Sequence, residues 1–308
     1  MAQDDVPSVH LAPADGPTHP ANDSTRPTDN PTRSPRVAVV IPCYNDGALV
    51  PDAVSSTQSS DDVEVVVIDD GSTEGGTQRA LEELTQRGIR VLHQGNAGLS
   101  AARMAGVKAT LAPYIYPLDA DDLAMPDALR TMADLLDANP DTAVCYGDYE
   151  EFGDSRLLRL VPRKIDPYRL AYTNEYPVTA LFRRGTLESV GGWKHLGAGY
   201  EDWGLWMTLA ERGCRGVYAG PGLLTVRRRL HGERMLGAAK ADHTALYRTL
   251  RQEHPRLFAE LKDHRRASDM SPVRKLLYPY VYGSRRRFRF ESRVKTLLDR
   301  AGVWTLRG

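Results

Sequence analysis

The stretch Tyr116-Pro117-Leu118-Asp119-Ala120-Asp121-Asp122 constrains this chain more than any other. Three carboxylates crowd into four residues directly after an apolar run, Tyr114 to Leu118, that reads as a buried strand. Like charges at this spacing repel, and burying them is costly unless a cation lies among them. Hard oxygen ligands at the mouth of a strand suit Mg²⁺ or Mn²⁺, and such an ion suits a diphosphate. The competing reading is an acidic strand-to-helix loop that caps the next helix.

Two further runs carry the same signature. Val37 to Ile41 is continuously apolar and β-branched, as expected of a strand covered on both faces, and it ends in Pro42-Cys43-Tyr44-Asn45-Asp46. Val63 to Ile68 repeats the pattern and ends in Asp69-Asp70-Gly71-Ser72. Helical stretches are expected over Ala48–Ser56, Gln78–Arg87 and Leu99–Thr110, with a short strand at Ile89–Leu92. Strand and helix alternating through short loops means an α/β fold with a mostly parallel sheet flanked by helices. In such sheets ligands bind at the carboxyl ends of the strands, where all three polar clusters fall. The first strand is not followed by Gly-x-Gly-x-x-Gly or a phosphate loop, so phosphate charge must be met by a metal and by cations.

Further along, Pro126 opens a helix whose apolar face is Ala128, Leu129, Met132, Leu135 and Leu136, and Asn139-Pro140 stops it. Thr142 to Phe152 and Leu157 to Val161 read as strands joined by a turn at Gly153-Asp154, where the sheet is expected to become mixed. Beyond His231 the pattern is helical and basic, with breaks at Pro255, Pro272 and Pro279.

Length and composition narrow the class. With 308 residues, one large domain or one domain with appendages is expected. Residues 1–35, rich in Pro, Asp, Thr, Ser and Asn, lack the apolar surface that offsets ordering entropy and are expected to be disordered. No apolar run approaches the roughly 18–20 residues that span a bilayer, and no secretory signal is visible. Cys43, Cys145 and Cys214 have no metal-site spacing and cannot all pair, which fits a reduced, cytoplasmic setting.

The order of these segments resembles family 2 glycosyltransferases, inverting enzymes with a GT-A fold that use nucleotide sugars. The resemblance is carried by Val39-Val40-Ile41-Pro42-Cys43-Tyr44-Asn45, Val67-Ile68-Asp69-Asp70-Gly71-Ser72-Thr73, Asn96-Ala97-Gly98-Leu99-Ser100-Ala101-Ala102-Arg103 and Leu118-Asp119-Ala120-Asp121-Asp122. Later come Phe182-Arg183-Arg184, Val190-Gly191-Gly192-Trp193 and Tyr200-Glu201-Asp202-Trp203-Gly204-Leu205-Trp206. It implies a GT-A domain over residues 36–235 and a basic helical extension over 236–308.

Roles follow from the resemblance, position by position. Pro42, Tyr44 and Asn45 would line the nucleotide pocket, Asp70 would accept a hydrogen bond from the base, and Arg103 would approach the nucleotide. Asp119 and Asp121 are the acids of the family's Asp-x-Asp element, Asp121 as the metal ligand with Asp119 beside it, and Mn²⁺ or Mg²⁺ as the ion. Asp122 would support them or cap the helix near Pro126. Asp202 is the expected general base, with Glu201 raising its basicity. His231 resembles a late histidine that completes the metal site, although Gly232-Glu233-Arg234 departs from the family's small-residue context there. Trp193, Tyr200 and Trp203 fall where the family binds its acceptor, and they read equally well as core. The processive members' Gln-x-x-Arg-Trp element and membrane helices are missing, so one sugar per encounter is expected.

The partners implied are a nucleotide-sugar donor, with UDP favoured, and a carbohydrate, lipid-linked or small-molecule acceptor. Tyr278 to Tyr282 followed by Arg285 to Phe290 interleaves aromatics with arginines. This tail reads as a helical appendage packing on the domain, or as a peripheral contact with the inner face of an anionic membrane. Nucleic acid is a weaker reading, since no nucleic-acid module accompanies the tail. A non-catalytic sugar-nucleotide-binding or scaffold module is the rival to an enzyme.

Overall fold

The computed structural model describes residues 34–58, 62–153, 156–196, 199–230 and 243–282. The expected disordered N-terminal segment up to Arg33, His231, and the arginine-rich tail beyond Tyr282 lie outside the described residues.

The chain runs β1 (Val37–Cys43), α1 (Val50–Ser56), β2 (Val63–Asp69), α2 (Gly75–Gln86), β3 (Arg90–His93), α3 (Leu99–Ala109), β4 (Tyr114–Pro117), β5 (Leu123–Ala124) and α4 (Ala128–Ala138). It continues through β6 (Thr142–Tyr146), β7 (Asp148–Gly153), β8 (Leu157–Arg159), α5 (Pro167–Leu170), β9 (Leu181–Arg183), α6 (Arg184–Ser189), α7 (Glu201–Glu211), β10 (Arg215–Tyr218) and β11 (Leu224–Leu230). Helices His243–Glu253, Pro255–Ala259, Leu261–Ala267 and Pro272–Tyr282 follow.

The main sheet has the order β10-β6-β9-β4-β1-β2-β3. Strand β1 lies between β4 and β2, parallel to both, and is buried along its whole length. Its two-residue period divides it between two cores: Ala38 and Val40 face one, Val37, Val39 and Ile41 the other. This double coverage explains the unbroken apolar run, because neither face meets water. Helix α3 closes on β1 at Gly106, where a Cβ would come within 2.2 Å of Val40 Cγ1. Because β1, β2 and β4 are parallel, with Cys43 beside Asp69 and Val40 beside Pro117, their carboxyl ends open on one edge of the sheet. The three polar clusters are therefore neighbours in space.

Two expectations are corrected. Thr142–Phe152 is not one strand: it breaks at Gly147, and β6 stays in the main sheet while β7 joins a second sheet of order β5-β11-β7-β8. A Cβ at Gly147 would lie 2.8 Å from Thr225 Cγ2, so the switch between sheets occurs where backbone packs against β11. The antiparallel member of the main sheet is the short β9, between β4 and β6. Pro279 does not break a helix but lies inside Pro272–Tyr282, whereas Pro255 and Pro272 open helices, as their fixed φ permits.

Helices His243–Glu253 and Pro255–Ala259 share the main core, while Pro272–Tyr282 packs in a separate small cluster. Leu250 and Leu257 are buried in the cluster that holds Trp206 and Leu209 of α7. Tyr278 is buried against Tyr168 and Tyr172, and the Tyr168 hydroxyl donates to the Lys275 carbonyl at 2.7 Å. Among the described residues, no helix is long and apolar enough to cross a membrane.

Candidate active site

A cleft of about 530 Å³ opens where β1, β2 and β4 end, lined among others by Pro42, Tyr44, Asp70, Asp119, Asp121 and Asp202. Each element delivers its residues for a local reason. The β2 loop turns at Gly71, whose φ of +77° only glycine adopts freely and where a Cβ would sit 2.7 Å from the Asn96 nitrogen. Asp69 closes this turn by accepting from the Ser72 N–H three residues on at 2.9 Å, and meets His93 Nδ1 at 2.9 Å.

Asp70 is almost fully committed within the protein. Its Oδ1 accepts from Gln94 Nε2 at 2.6 Å and the Ala97 N–H at 2.9 Å, and its Oδ2 accepts from the Gly98 N–H at 2.8 Å. It thereby fastens the loop that leads into α3. Asn45 fastens a second pair of loops. Its Oδ1 accepts from the Thr73 and Glu74 N–H groups, so the side chain staples the β1 loop to the β2 loop. Tyr44, by contrast, is 47% exposed on the cleft wall.

The oxygens of Asp119, Asp121 and Asp122 lie within 4.8 Å of one another. Burial, then the neighbouring charges of Asp119 and Asp121, pushes the Asp122 carboxyl well above the ordinary aspartate range. Asp122 does not cap α4. That helix has Asp127 at its N-cap position, while Asp122 accepts from the Arg229 N–H of β11 at 2.8 Å.

Arg103 is buried on α3 rather than solvated. Its Nη2 donates to Asp119 Oδ1 at 2.7 Å and its Nη1 to Glu201 Oε1 at 3.2 Å. One guanidinium thus links the acid loop after β4 to the first turn of α7. Tyr200, just before α7, holds a left-handed φ of +67°, a conformation costly for a bulky side chain, and it directs Glu201 and Asp202 towards the cleft. Asp202 accepts from the Trp203 N–H at 2.8 Å and from Asn174 Nδ2 at 3.0 Å. Burial, then the adjacent Glu201 charge, pushes its carboxyl up to about 6.

The three aromatics separate. Tyr200 lines the cleft. Trp193 is core, edge-on to Phe182, and Trp203 is core, its indole N–H donating to the Leu170 carbonyl at 2.8 Å. Neither tryptophan lines the cleft, because both are buried in the main core.

Two residues escaped the sequence reading. Arg228 reaches the cleft because β11 alternates: Arg227 and Arg229 lie over Phe152 at 4.4 and 4.8 Å, leaving Arg228 on the other face. That alternation was visible within Arg227-Arg228-Arg229, but nothing showed β11 returning beside the acid loop. Asn174, far from any motif, had no signal at all.

A mostly parallel α/β sheet with a cleft at its strand ends is the architecture of the GT-A glycosyltransferases. Residues 38–189 match the family described as glycosyl transferase family 2, and the chain belongs to that family. The uncharacterized glycosyltransferase EpsJ of Bacillus subtilis (strain 168) is 30% identical over 140 residues, 44% of this chain and 40% of that protein. The uncharacterized glycosyltransferase YibD of Escherichia coli (strain K12) is 35% identical over 122 residues, 37% of this chain and 34% of that protein. The chain thus spans two fifths or less of the length of these curated relatives. Among solved structures, S. aureus TarS 1-349 in complex with UDP-GlcNAc has a TM-score of 0.59 at 17% identity, covering 80% of this chain and 78% of that one. Mannosyltransferase PcManGT from Pyrobaculum calidifontis, in complex with GDP-Man and Mn²⁺, has a TM-score of 0.54 at 19% identity, covering 90% and 85%. These last two likenesses are of fold.

Proposed function

We propose that the protein moves one sugar from a nucleotide-sugar donor, UDP-linked in the favoured case, to an acceptor hydroxyl with inversion at the anomeric carbon. The observation that carries this reading is the arrangement of two acidic groups around one cleft: the Asp119–Asp122 cluster and Asp202 both line it, with buried Arg103 joining Asp119 to Glu201.

The acid cluster fits a divalent ion. Its donors are all carboxylate oxygens close enough to share one cation, and burial together with their mutual repulsion already pushes the Asp122 carboxyl up. Asp121 and Asp119 would hold the ion. When bound, Mn²⁺ or Mg²⁺ supplies Lewis-acid stabilisation of the departing diphosphate.

The protein's own groups do the rest. Tyr44 offers its exposed ring to the nucleobase. Arg228 brings positive charge to the diphosphate end of the cleft. Asp202, ionised above about pH 6, accepts the proton of the attacking hydroxyl as that oxygen approaches the anomeric carbon from the face opposite the leaving group. Glu201, tied to Arg103, adds the negative charge that keeps Asp202 basic. Tyr200 borders the acceptor side.

A thermal-shift panel tests the reading: UDP, GDP, dTDP and CDP, each with Mn²⁺, Mg²⁺ or chelator, on wild type and Asp121→Asn. A ligand that binds only the folded state raises the midpoint. The expected result is a shift for one nucleotide that requires metal and is lost in the variant. No shift with any nucleotide would sink the reading.

A further inference from the structure

Among the described residues, Asp202 takes hydrogen bonds from two donors: the N–H of its own neighbour Trp203, and the side-chain amide of Asn174, 28 residues earlier in the chain. Asn174 itself cannot turn over. Its Oδ1 accepts from the Tyr176 N–H at 3.0 Å, so Nδ2 is the atom left to face Asp202. The next two residues pin the segment down. Glu175 lies 2.8 Å from Arg169 Nη1 and 3.5 Å from Arg274 Nη2, two arginines that are both buried. Tyr176 accepts from the Asp166 N–H and donates to the Lys164 carbonyl, with its ring against Trp206 at 4.8 Å. Arg274 belongs to the C-terminal helix Pro272–Tyr282, so that helix takes part in the same anchorage.

We propose that Asn174 is the positioning residue of Asp202, orienting its carboxylate and favouring the charged form, with Glu175 and its two arginines holding Asn174 in place. This role rests on Asp202 acting as the base. The geometry has a chemical purpose. Glu201 and burial both oppose ionisation of Asp202, Arg103 and Arg228 favour it, and the Tyr200 phenol lies beside it. An amide donor favours the carboxylate without adding a charge that would suppress its basicity. It also leaves the second lone pair of Oδ2 for the acceptor hydroxyl.

The test uses the full chain with ¹³C-carboxyl-labelled aspartate, titrated by NMR in the presence of chelator. The Asp202 resonance is identified by its loss in Asp202→Asn. Asn174→Ser shortens the side chain so that its hydroxyl cannot reach Asp202. Asn174→Asp keeps the acceptor for the Tyr176 N–H but removes the donor. Losing one hydrogen bond to a charged group should raise the Asp202 midpoint by about one pH unit or more, roughly a tenfold change in proton affinity. The rise should be larger in Asn174→Asp, which adds a like charge. A residue that only shapes the turn would leave Asn174→Ser with a wild-type Asp202 midpoint, and that result overturns the proposal, because the added charge of Asn174→Asp raises the midpoint by itself. Hydrolysis of UDP-GlcNAc and GDP-mannose by Asp202→Asn is measured in parallel. Retained hydrolysis there removes the base reading, whereas lost hydrolysis with an unmoved midpoint in Asn174→Ser removes only the positioning role.

Discussion

Arg103 Nη2 stands 2.7 Å from Asp119 Oδ1, a charge pair formed in the interior between helix α3 and the acid loop after β4. The same guanidinium reaches Glu201, so the acid loop and the first turn of α7 are spaced by one buried cation. Removing one partner of such a pair leaves the other charges uncompensated. Arg103→Leu should lose about 3–5 kcal/mol of stability, read by denaturant unfolding. Arg103→Lys retains the charge but lacks the planar fork that meets two acids at once, so it should fold yet lose most donor turnover.

Asp121→Asn should behave in the opposite sense. It relieves repulsion within the Asp119–Asp122 cluster, so the ligand-free thermal midpoint should stay level or rise, while stabilisation by nucleotide with Mn²⁺ disappears. A variant that is less stable without ligand would show that the cluster serves the fold rather than a cation.

Activity should fall on the acid side with a midpoint near the Asp202 value of about 6. The base works only when ionised, so turnover is full above that pH and lost below it. Stability runs the other way. Because the folded-state value lies above the ordinary aspartate value, the unfavourable contribution of this group is present above pH 6 and fades as the pH falls towards about 4. Asp202→Asn should reduce turnover by roughly 10²–10⁴-fold while the same nucleotide still shifts the thermal midpoint.

Tyr44 is exposed and lines the cleft, so its truncation tests recognition with little effect on folding. Stacking of a base on an aromatic ring contributes about 1–3 kcal/mol, so Tyr44→Ala should weaken nucleotide binding by roughly tenfold or more in calorimetry. The unfolding midpoint should be nearly unchanged.

Truncation before His243 removes Leu250 and Leu257 from the core that packs α7. Such a chain should lose cooperative unfolding, whereas Leu276→Ser, at a position 56% exposed on the last described helix, should be tolerated. A truncated chain that unfolds like the full one would mark the C-terminal helices as a separable appendage.

The legible part of the site consists of residues whose roles are local. Asp119, Asp121 and Asp122 announce themselves because three acids after an apolar run need a reason to be there, and Tyr44 because an aromatic follows a buried strand directly. Asn45 and Asp70 were legible as loop residues, but their hydrogen bonds run to backbone about 28 residues away, which no local pattern records. Trp193 and Trp203 were ambiguous for a plain reason. An aromatic ring suits a sugar face and a core equally, and only the tertiary contacts, Trp193 against Phe182 and the Trp203 indole N–H to the Leu170 carbonyl, separate the two.

By itself the sequence determined the alternating α/β order, the parallel strands β1, β2 and β4, and the polar clusters at their ends, because burial on both faces demands unbroken apolar runs and the chain must turn where they stop. Tertiary structure alone decided which charges meet. It placed β11 beside the acid loop, so that Arg228 faces the cleft and the Arg229 N–H holds Asp122. It buried Arg103 between Asp119 and Glu201, and it brought Asn174 to Asp202. Those contacts depend on long-range closure of the chain, and the energy of a buried charge depends on everything that surrounds it, which no local pattern of residues encodes.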